Sequence, residues 1–375
     1  MRCIVPLYLM LIVLCLLIFA GCTSAPDTHP ANLSPAREQT ADQIFWEQMT
    51  QNAGWSARYF QGSAALPDGS IVLTGGVDKN GIPLNDVWRS TDDGATWKQM
   101  TERAEWPARG YHTSVALSDG SIILLGGADS NGTALNDVWR STDDGATWMQ
   151  VTPRATWPAR DEQSTVVLPD GSIVLIGGLD NNYSLLNDVW RSADDGATWT
   201  QMTTHAGWPV RSFPGVVAPA DGSIVVMGGL GGNGVPMNDV WRSTDDGATW
   251  EQVNTSAGWS ARAFQKSIAL PDGSIVLLGG ADGIGTALND VWRSTDDGAI
   301  WKPVNTSAGW PARIGFGSVV LPDSSIVIMG GGANSGEENG GNDSEIFYND
   351  VWRITSFDCT PGTIHTCSGT QVPAG

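Results

Sequence analysis

One arginine per repeat, and the short segment after it, are the residues whose types could bind a ligand. The arginines recur every 51 residues, at Arg58, Arg109, Arg160, Arg211, Arg262 and Arg313. A guanidinium group pairs with a carboxylate through two hydrogen bonds, and neighbouring aromatic rings and amides add stacking and polar contacts. We therefore predict a ligand site for a protein or an acidic glycan, formed by the arginines with Phe60, Tyr111, Gln163 and Phe264.

A structural role for the same arginines stays open. Each repeat also carries an Asn-Asp pair, such as Asn85-Asp86, so every arginine has a potential salt-bridge partner. Salt bridging between repeats and ligand binding can coexist.

Acid–base chemistry has three weak candidates, Glu162, Tyr59 and His112. An active site needs one repeat to depart from the others, and Asp161-Glu162-Gln163 is one of the few departures. The regularity elsewhere favours binding over catalysis, and whether the protein is an enzyme stays uncertain.

The repeat itself predicts an all-β protein. In the first copy we expect strands at Gln61 to Leu66, Ile71 to Thr74, Asp86 to Ser90 and around Trp97. The second strand is apolar throughout and ends in a double glycine in every copy, which indicates burial on both faces. Since one such sheet cannot cover its own faces, the three tryptophans per repeat are expected to pack between neighbouring sheets.

A period near 50 with a double glycine and recurring tryptophans resembles the kelch repeat. The resemblance covers about residues 42 to 353 and implies one six-bladed β-propeller over 42–354. Kelch proteins often bind partners through the loops after the double glycines, where most of the variation between copies lies. We expect a binding or interaction module that uses this face.

A second resemblance lies in the turn Ser90 to Trp97, which is similar to the Asp-box of sialidases and occurs five times. The motif is specific for a fold element and says little about catalysis. By analogy, the alternative function is a sialidase-like hydrolase or a sugar epimerase or mutarotase. Galactose-oxidase-like copper chemistry is rejected, because the repeats contain no cysteine and no histidine pair.

The sixth copy lacks a fourth strand, and the chain before the first copy supplies a candidate. Residues 45–50 align, one period earlier, with residues 96–101. We predict that they pair with residues 349–353, which closes the ring and removes an exposed sheet edge.

The N-terminus predicts export. An apolar run ends in Ala20-Gly21-Cys22, which resembles the lipobox of prokaryotic lipoproteins and implies lipidation of Cys22 after removal of residues 1–21. An ordinary secretory signal is the alternative. Residues 22–41 would form a flexible tether and 355–375 a tail closed by a Cys359–Cys367 disulfide. The protein would be a monomer in the cell envelope, facing periplasm or exterior, with only the lipid in the membrane.

The net charge and the spacing of potential metal ligands limit the classes of partner and ligand that the protein could bind. The net charge of -20 argues against nucleic acid. We expect no metal and no cofactor. Calcium has weak candidates in loops such as Asp78 to Gly81, and in the inserted loop 332–348 with Glu337, Glu338, Asp343 and Glu345, which is also a plausible lid.

Overall fold

The computed structural model describes residues 46–334 and 345–354, which form six blades of β-sheet arranged in a ring. The predicted all-β, six-bladed propeller is confirmed. No helix in this described part could cross a membrane. The predictions for Cys22, the signal and tether segments, the Cys359–Cys367 disulfide, and the side chains of Glu337, Glu338, Asp343 and Glu345 lie outside what the structure describes.

The strands follow one another from the innermost to the outermost position of each blade. The N-terminal strand is β1 (Glu47–Thr50), and blade 1 contains β2 (Arg58–Tyr59), β3 (Gly62–Ala65), β4 (Ile71–Asp78), β5 (Pro83–Ser90) and β6 (Lys98–Thr101). Blade 2 contains β7 (Thr113–Ala116), β8 (Ile122–Leu125), β9 (Val138–Ser141) and β10 (Met149–Thr152). Blade 3 contains β11 (Arg160–Asp161), β12 (Ser164–Val167), β13 (Ile173–Ile176), β14 (Leu179–Asp180), β15 (Val189–Ser192) and β16 (Thr200–Thr203).

The second half repeats the pattern. Blade 4 contains β17 (Arg211–Ser212), β18 (Gly215–Val217), β19 (Ile224–Met227), β20 (Leu230–Gly231), β21 (Val240–Ser243) and β22 (Glu251–Asn254). Blade 5 contains β23 (Arg262–Ala263), β24 (Lys266–Ala269), β25 (Ile275–Asp282), β26 (Ala287–Ser294) and β27 (Lys302–Asn305). Blade 6 contains β28 (Gly317–Val320), β29 (Ile326–Met329), β30 (Gly332–Asn334), β31 (Glu345–Phe347) and β32 (Val351–Ile354).

The predicted ring closure is confirmed by the sheet of blade 6, whose strand order is β1-β32-β29-β28. Strand β1 runs antiparallel to β32, with Glu47 opposite Arg353 and Gln48 opposite Trp352. The first described strand of the chain therefore completes the last blade.

Hydrophobic cores lie between blades. Within β4, Ile71 and Leu73 pack against blade 6, whereas Val72 packs against blade 2. These three side chains are 0% exposed. Burial on both faces explains why the segment from Ile71 to Leu73 is apolar and does not alternate.

Tryptophan pairs join neighbouring blades. Trp106, in the crossover from blade 1 to blade 2, meets Trp148 of blade 2 edge to face at 6.0 Å. Trp46 makes the same contact with Trp310, also at 6.0 Å. Trp46 thus takes the place of the tryptophan that the sixth repeat lacks.

Two features of the blade differ from the expected strands. The fourth strand begins at Lys98, because Trp97 still belongs to the turn, where its indole N–H donates to the carbonyl of Gly94. A two-residue strand such as β2 precedes the innermost strand and pairs with the end of β4. This extra pairing sets the direction in which the chain enters the centre of the ring.

The two faces of the disc are different surfaces. We call the side with the Pro-Asp-Gly and Ser-Thr-Asp-Asp-Gly turns the turn face, and the side with the loops after the double glycines the loop face. On the turn face, Arg89 bonds Asp68 of its own blade at 2.6 Å and Asp144 of the next blade at 2.9 Å. Arginines therefore neutralise part of the acidity of this face.

Candidate functional site

Six equivalent residues, one from each blade, meet where the centre of the ring opens on the loop face. All six have a left-handed backbone, with φ between 49° and 61°. Their backbones are linked: Tyr111 N–H donates to Phe60 O, Glu162 N–H to Tyr111 O, and Phe213 N–H to Glu162 O. We call this ring the belt, and its members are Phe60, Tyr111, Glu162, Phe213, Phe264 and Gly315.

The aromatic members of the belt pack together across the centre. Phe60 stacks on Tyr111 at 4.3 Å and also lies 5.3 Å from Phe213, which belongs to the opposite blade. Phe264 lies 4.4 Å from Phe213. A side chain at Gly315 would lie 3.0 Å from the Phe60 ring, so the glycine leaves room for that ring. The rings therefore plug the central passage at the loop face.

A pair of adjacent carboxyl groups lies at the belt, on its member Glu162 and on the preceding residue Asp161. Burial raises the pKa of Asp161 to about 7. Burial, and then the nearby Asp161 charge, raise the pKa of Glu162 to about 8, although a hydrogen bond from Ser212 opposes the shift. Asp161 Oδ1 is buried and has no hydrogen-bond partner among the described residues. One or both groups hold a proton near neutral pH, as a general acid or base requires.

Two tyrosines complete this side of the belt. Tyr59 lies 6.5 Å from Tyr111 and 5.0 Å from Phe347 of the sixth loop, as measured between ring centroids. Burial raises the pKa of Tyr111 well above its ordinary value, and Tyr59, Glu162 and Asp161 add to the shift. Of the weak catalytic candidates, Tyr59 and Glu162 thus lie at one site.

His112, the third candidate, lies elsewhere. It is 5% exposed, in the wall between blades 1 and 2, where Nε2 bonds the Thr74 hydroxyl at 3.0 Å. Burial, followed by the charge of Arg109, lowers its pKa to about 3. The imidazole is therefore neutral at physiological pH.

The six arginines that were predicted to contact a ligand are all 0% exposed. The Arg109 guanidinium donates to both carboxylate oxygens of Asp137, at 2.6 and 2.8 Å, and to the carbonyl of Gly126 at 2.8 Å. The other five repeat this pattern: Arg58 with Asp86, Arg160 with Asp188, Arg211 with Asp239, Arg262 with Asp290 and Arg313 with Asp350.

Each arginine also joins two blades. The Arg109 backbone N–H donates to Leu84 O, and its carbonyl accepts from Gly76 N–H, both in blade 1. Its side chain bonds Asp137 and Gly126 in blade 2. The salt-bridge role left open by the sequence is thus observed within blades, and the backbone supplies the link between blades. Ligand contact by the arginines stays an untested prediction.

Gln163 lies behind the belt and does not face the loop side. It is 4% exposed and donates to Leu125 O of the preceding blade at 3.1 Å. Phe60, Tyr111 and Phe264 are the predicted ligand-binding residues that belong to the belt.

Loop tips surround the belt. Asp78 closes the first of them, because its Oδ1 accepts hydrogen bonds from the N–H groups of Asn80 and Ile82 at 2.8 and 2.9 Å. Turn closure accounts for this aspartate without calcium. Within residues 46–334 and 345–354, no group of three or more potential metal ligands is found.

The sequence reasoning missed two features of the centre. The left-handed backbone of the belt occurs at Phe, Tyr and Glu, residue types that rarely adopt it, so nothing in the sequence pointed to it. The other is Lys266, two residues after Phe264. Its signal was visible, since the equivalent position in the other repeats holds glycine, serine or threonine.

Comparisons with known proteins find relatives of this chain. The chain is 26% identical over 338 residues to putative adagio-like protein 2 of Oryza sativa subsp. japonica, covering 81% of this chain and 51% of that protein. It is 27% identical over 317 residues to a xyloglucanase of Paenibacillus sp, covering 72% of this chain and 29% of that enzyme. The chain thus spans about half or less of these relatives.

A solved structure shares the fold. The structure of YjhT superposes with a TM-score of 0.63 at 14% identity, over 80% of this chain and 96% of that one. The model of the KLHDC2/KLHL20/DRC7 Kelch-repeats domain matches residues 13–229, more than half of the chain. The protein therefore belongs to the kelch-repeat family.

Proposed function

We propose that this protein is an exported, lipid-anchored interaction module that binds a protein partner through its loop face. The observation that carries the proposal is the distribution of exposed apolar side chains. Among the described residues, eight large hydrophobic side chains are exposed, and the six of them that lie on the loop face are Ile82, Tyr183, Val210, Val235, Ile284 and Ile346. Apolar residues that surround a rigid centre are typical of partner-binding surfaces.

The centre of that face suggests the chemistry of the partner. The belt offers aromatic rings beside Asp161 and Glu162, whereas the arginines are held by aspartates. An apolar segment with a basic side chain would complement it, through ring contacts and charge pairing. An acidic glycan, the other predicted partner, would find its expected arginines already paired.

The test is affinity capture from cell-envelope extracts with quantitative comparison of variants. Replacing the exposed Tyr183 and Ile284 by serine together should reduce partner recovery at least tenfold. Met149, on outer strand β10, is about as exposed as Tyr183 and Ile284. Replacing it by serine is the matched control and should leave partner recovery unchanged. Equal recovery by both variants would contradict docking on the loop face.

A carbohydrate-active enzyme, either a sialidase-like hydrolase or a sugar epimerase or mutarotase, is the second candidate. Its support is the pair Asp161 and Glu162, whose raised pKa values suit acid–base catalysis beside Tyr59 and Tyr111. Turnover of aryl glycosides and reducing sugars should fall at least a hundredfold in Glu162→Gln if this candidate is correct. A binder would keep its ligand after this substitution.

Lipid anchoring rests on the Ala20-Gly21-Cys22 junction alone. Metabolic labelling with a fatty-acid analogue should mark the wild type, and Cys22→Ala should lose the label and the membrane association. Retention of label by the variant would contradict the proposal.

A further inference from the structure

Below the belt, the six innermost strands β3, β7, β12, β18, β24 and β28 enclose a central space, which we call the lumen. The first residue of each innermost strand is equivalent in every blade: Gly62, Thr113, Ser164, Gly215, Lys266 and Gly317. Five of the six are glycine or carry a small hydroxyl. Blade 5 alone places a charged side chain there.

The Lys266 ammonium lies inside the ring. Lys266 is half-buried and has no ion pair or hydrogen bond within residues 46–334 and 345–354, and burial lowers its pKa to about 8. Its charge adds to the effects of burial and Arg109 in lowering the pKa of His112. Because His112 belongs to blade 2, directly across the ring, the ammonium must reach toward the centre.

The lumen opens on the turn face. Ala65, Ala116 and Val320, at the far ends of their inner strands, are half-buried, although the neighbouring strands are 0% exposed. The same three residues line a depression of about 290 Å³ on the turn face. The aromatic rings of the belt close the other end.

No acidic group faces Lys266 from the strands that flank it. The adjacent residues of β18 are Gly215 and Val216, and those of β28 are Gly317 and Ser318. Asp161 and Glu162 belong to the belt and its approach, and burial is the only cause of the shifted lysine pKa. A partly buried ammonium without a counter-charge loses hydration that nothing replaces, and groups with perturbed pKa values concentrate at functional sites.

We propose that Lys266 forms the binding site for a small monovalent anion, a halide or a carboxylate, that enters the lumen from the turn face. A single ammonium balances one negative charge. The alanine and valine entrance disfavours strongly hydrated dianions, because they would lose water against an apolar wall.

The test is thermal unfolding of the full-length protein at constant ionic strength, with chloride, acetate or sulfate as the varied anion. Chloride and acetate should each raise the midpoint by about 2–4 °C at ten times their dissociation constant, whereas sulfate should not. The variant Lys266→Ser, which copies Ser164 of blade 3, should lose this response. It should also be more stable than the wild type when no binding anion is present.

Exposed Lys98 is the matched control, and Lys98→Ser should keep the full anion response. Broadening of the ³⁵Cl⁻ resonance by the wild type, reversed by acetate, provides a second measurement that needs no variant. An identical anion response in wild type and Lys266→Ser, or absence of both chloride broadening and stabilisation, would overturn the proposal. Neither result depends on whether a protein binds the loop face.

Discussion

The carboxyl pair at the belt is the strongest electrostatic feature among single residues. Asp161 and Glu162 adjoin each other in a setting where burial raises both pKa values, and the arginine beside them, Arg160, is bound to Asp188. The pair therefore keeps a proton near pH 7 that the unfolded chain releases near pH 4.

This difference predicts how stability depends on pH. A raised folded-state pKa contributes stability that is complete below the unfolded value and is lost as pH rises through about 8. Glu162→Gln cannot ionise, so it should become more stable than the wild type by about 1–2 kcal/mol as pH rises from 5 to 8.5. Denaturant titrations across this range would measure the difference, and an equal pH dependence in both proteins would refute it. Exposed Glu102→Gln is the control.

The sequence indicated these residues only in part. The departure at Asp161-Glu162 was visible against five other copies, which is why Glu162 was a candidate. The position of Tyr111 beside it depends on a left-handed backbone that follows from the belt of hydrogen bonds between blades. Such geometry depends on contacts between residues that are about 50 positions apart in the sequence, and not on the local backbone preference of each residue type.

Among the elements, the arginine segment before each innermost strand links neighbouring blades through backbone hydrogen bonds. Its two-residue strand is fixed by pairing with the end of a distant strand, so propensity rules do not find it. The Asn-Asp motif did predict a partner for each arginine. The sequence could not show how deeply each arginine–aspartate pair is buried, because full burial of the pair requires both neighbouring blades to be in place.

Breaking one of these arginine–aspartate pairs should strongly destabilise the fold. Arg109→Met leaves Asp137 buried without its two guanidinium hydrogen bonds, and we expect a loss of about 3–5 kcal/mol in the free energy of unfolding. Arg103→Met, at an exposed site in the same crossover, should change it by less than about 0.5 kcal/mol. Urea denaturation of both variants would measure the effect, and equal losses would contradict the blade-joining role.

For the whole molecule, the repeat determined most of the architecture. Blade number, turn positions and ring closure follow from a strict period and from counting strands, because each blade must bury both faces against its neighbours. What each face binds does not follow, since it depends on which of the few irregular side chains meet at the centre. The side chains of the belt and of Lys266 are such departures from the repeat.

Ring closure makes the stability of all six blades depend on one short strand. Removing residues 46–50 deletes the pairing of β1 with Val351, Trp352 and Arg353 and the contact of Trp46 with Trp310. We expect the thermal midpoint to fall by more than about 5 °C, because blade 6 loses its outer strand and part of its core. A chain that begins at Asp42 keeps the strand and is the control.

The exposed edge of β32 should also change the state of association. An unpaired strand edge offers N–H and C=O groups to a second chain, so the shortened protein should form dimers or larger species in light scattering. The control should show none of this additional association. If the shortened chain unfolds at the same temperature and has the same mass as the control, then blade 6 is stable with three strands, and ring closure rests on the contacts between the inner strands.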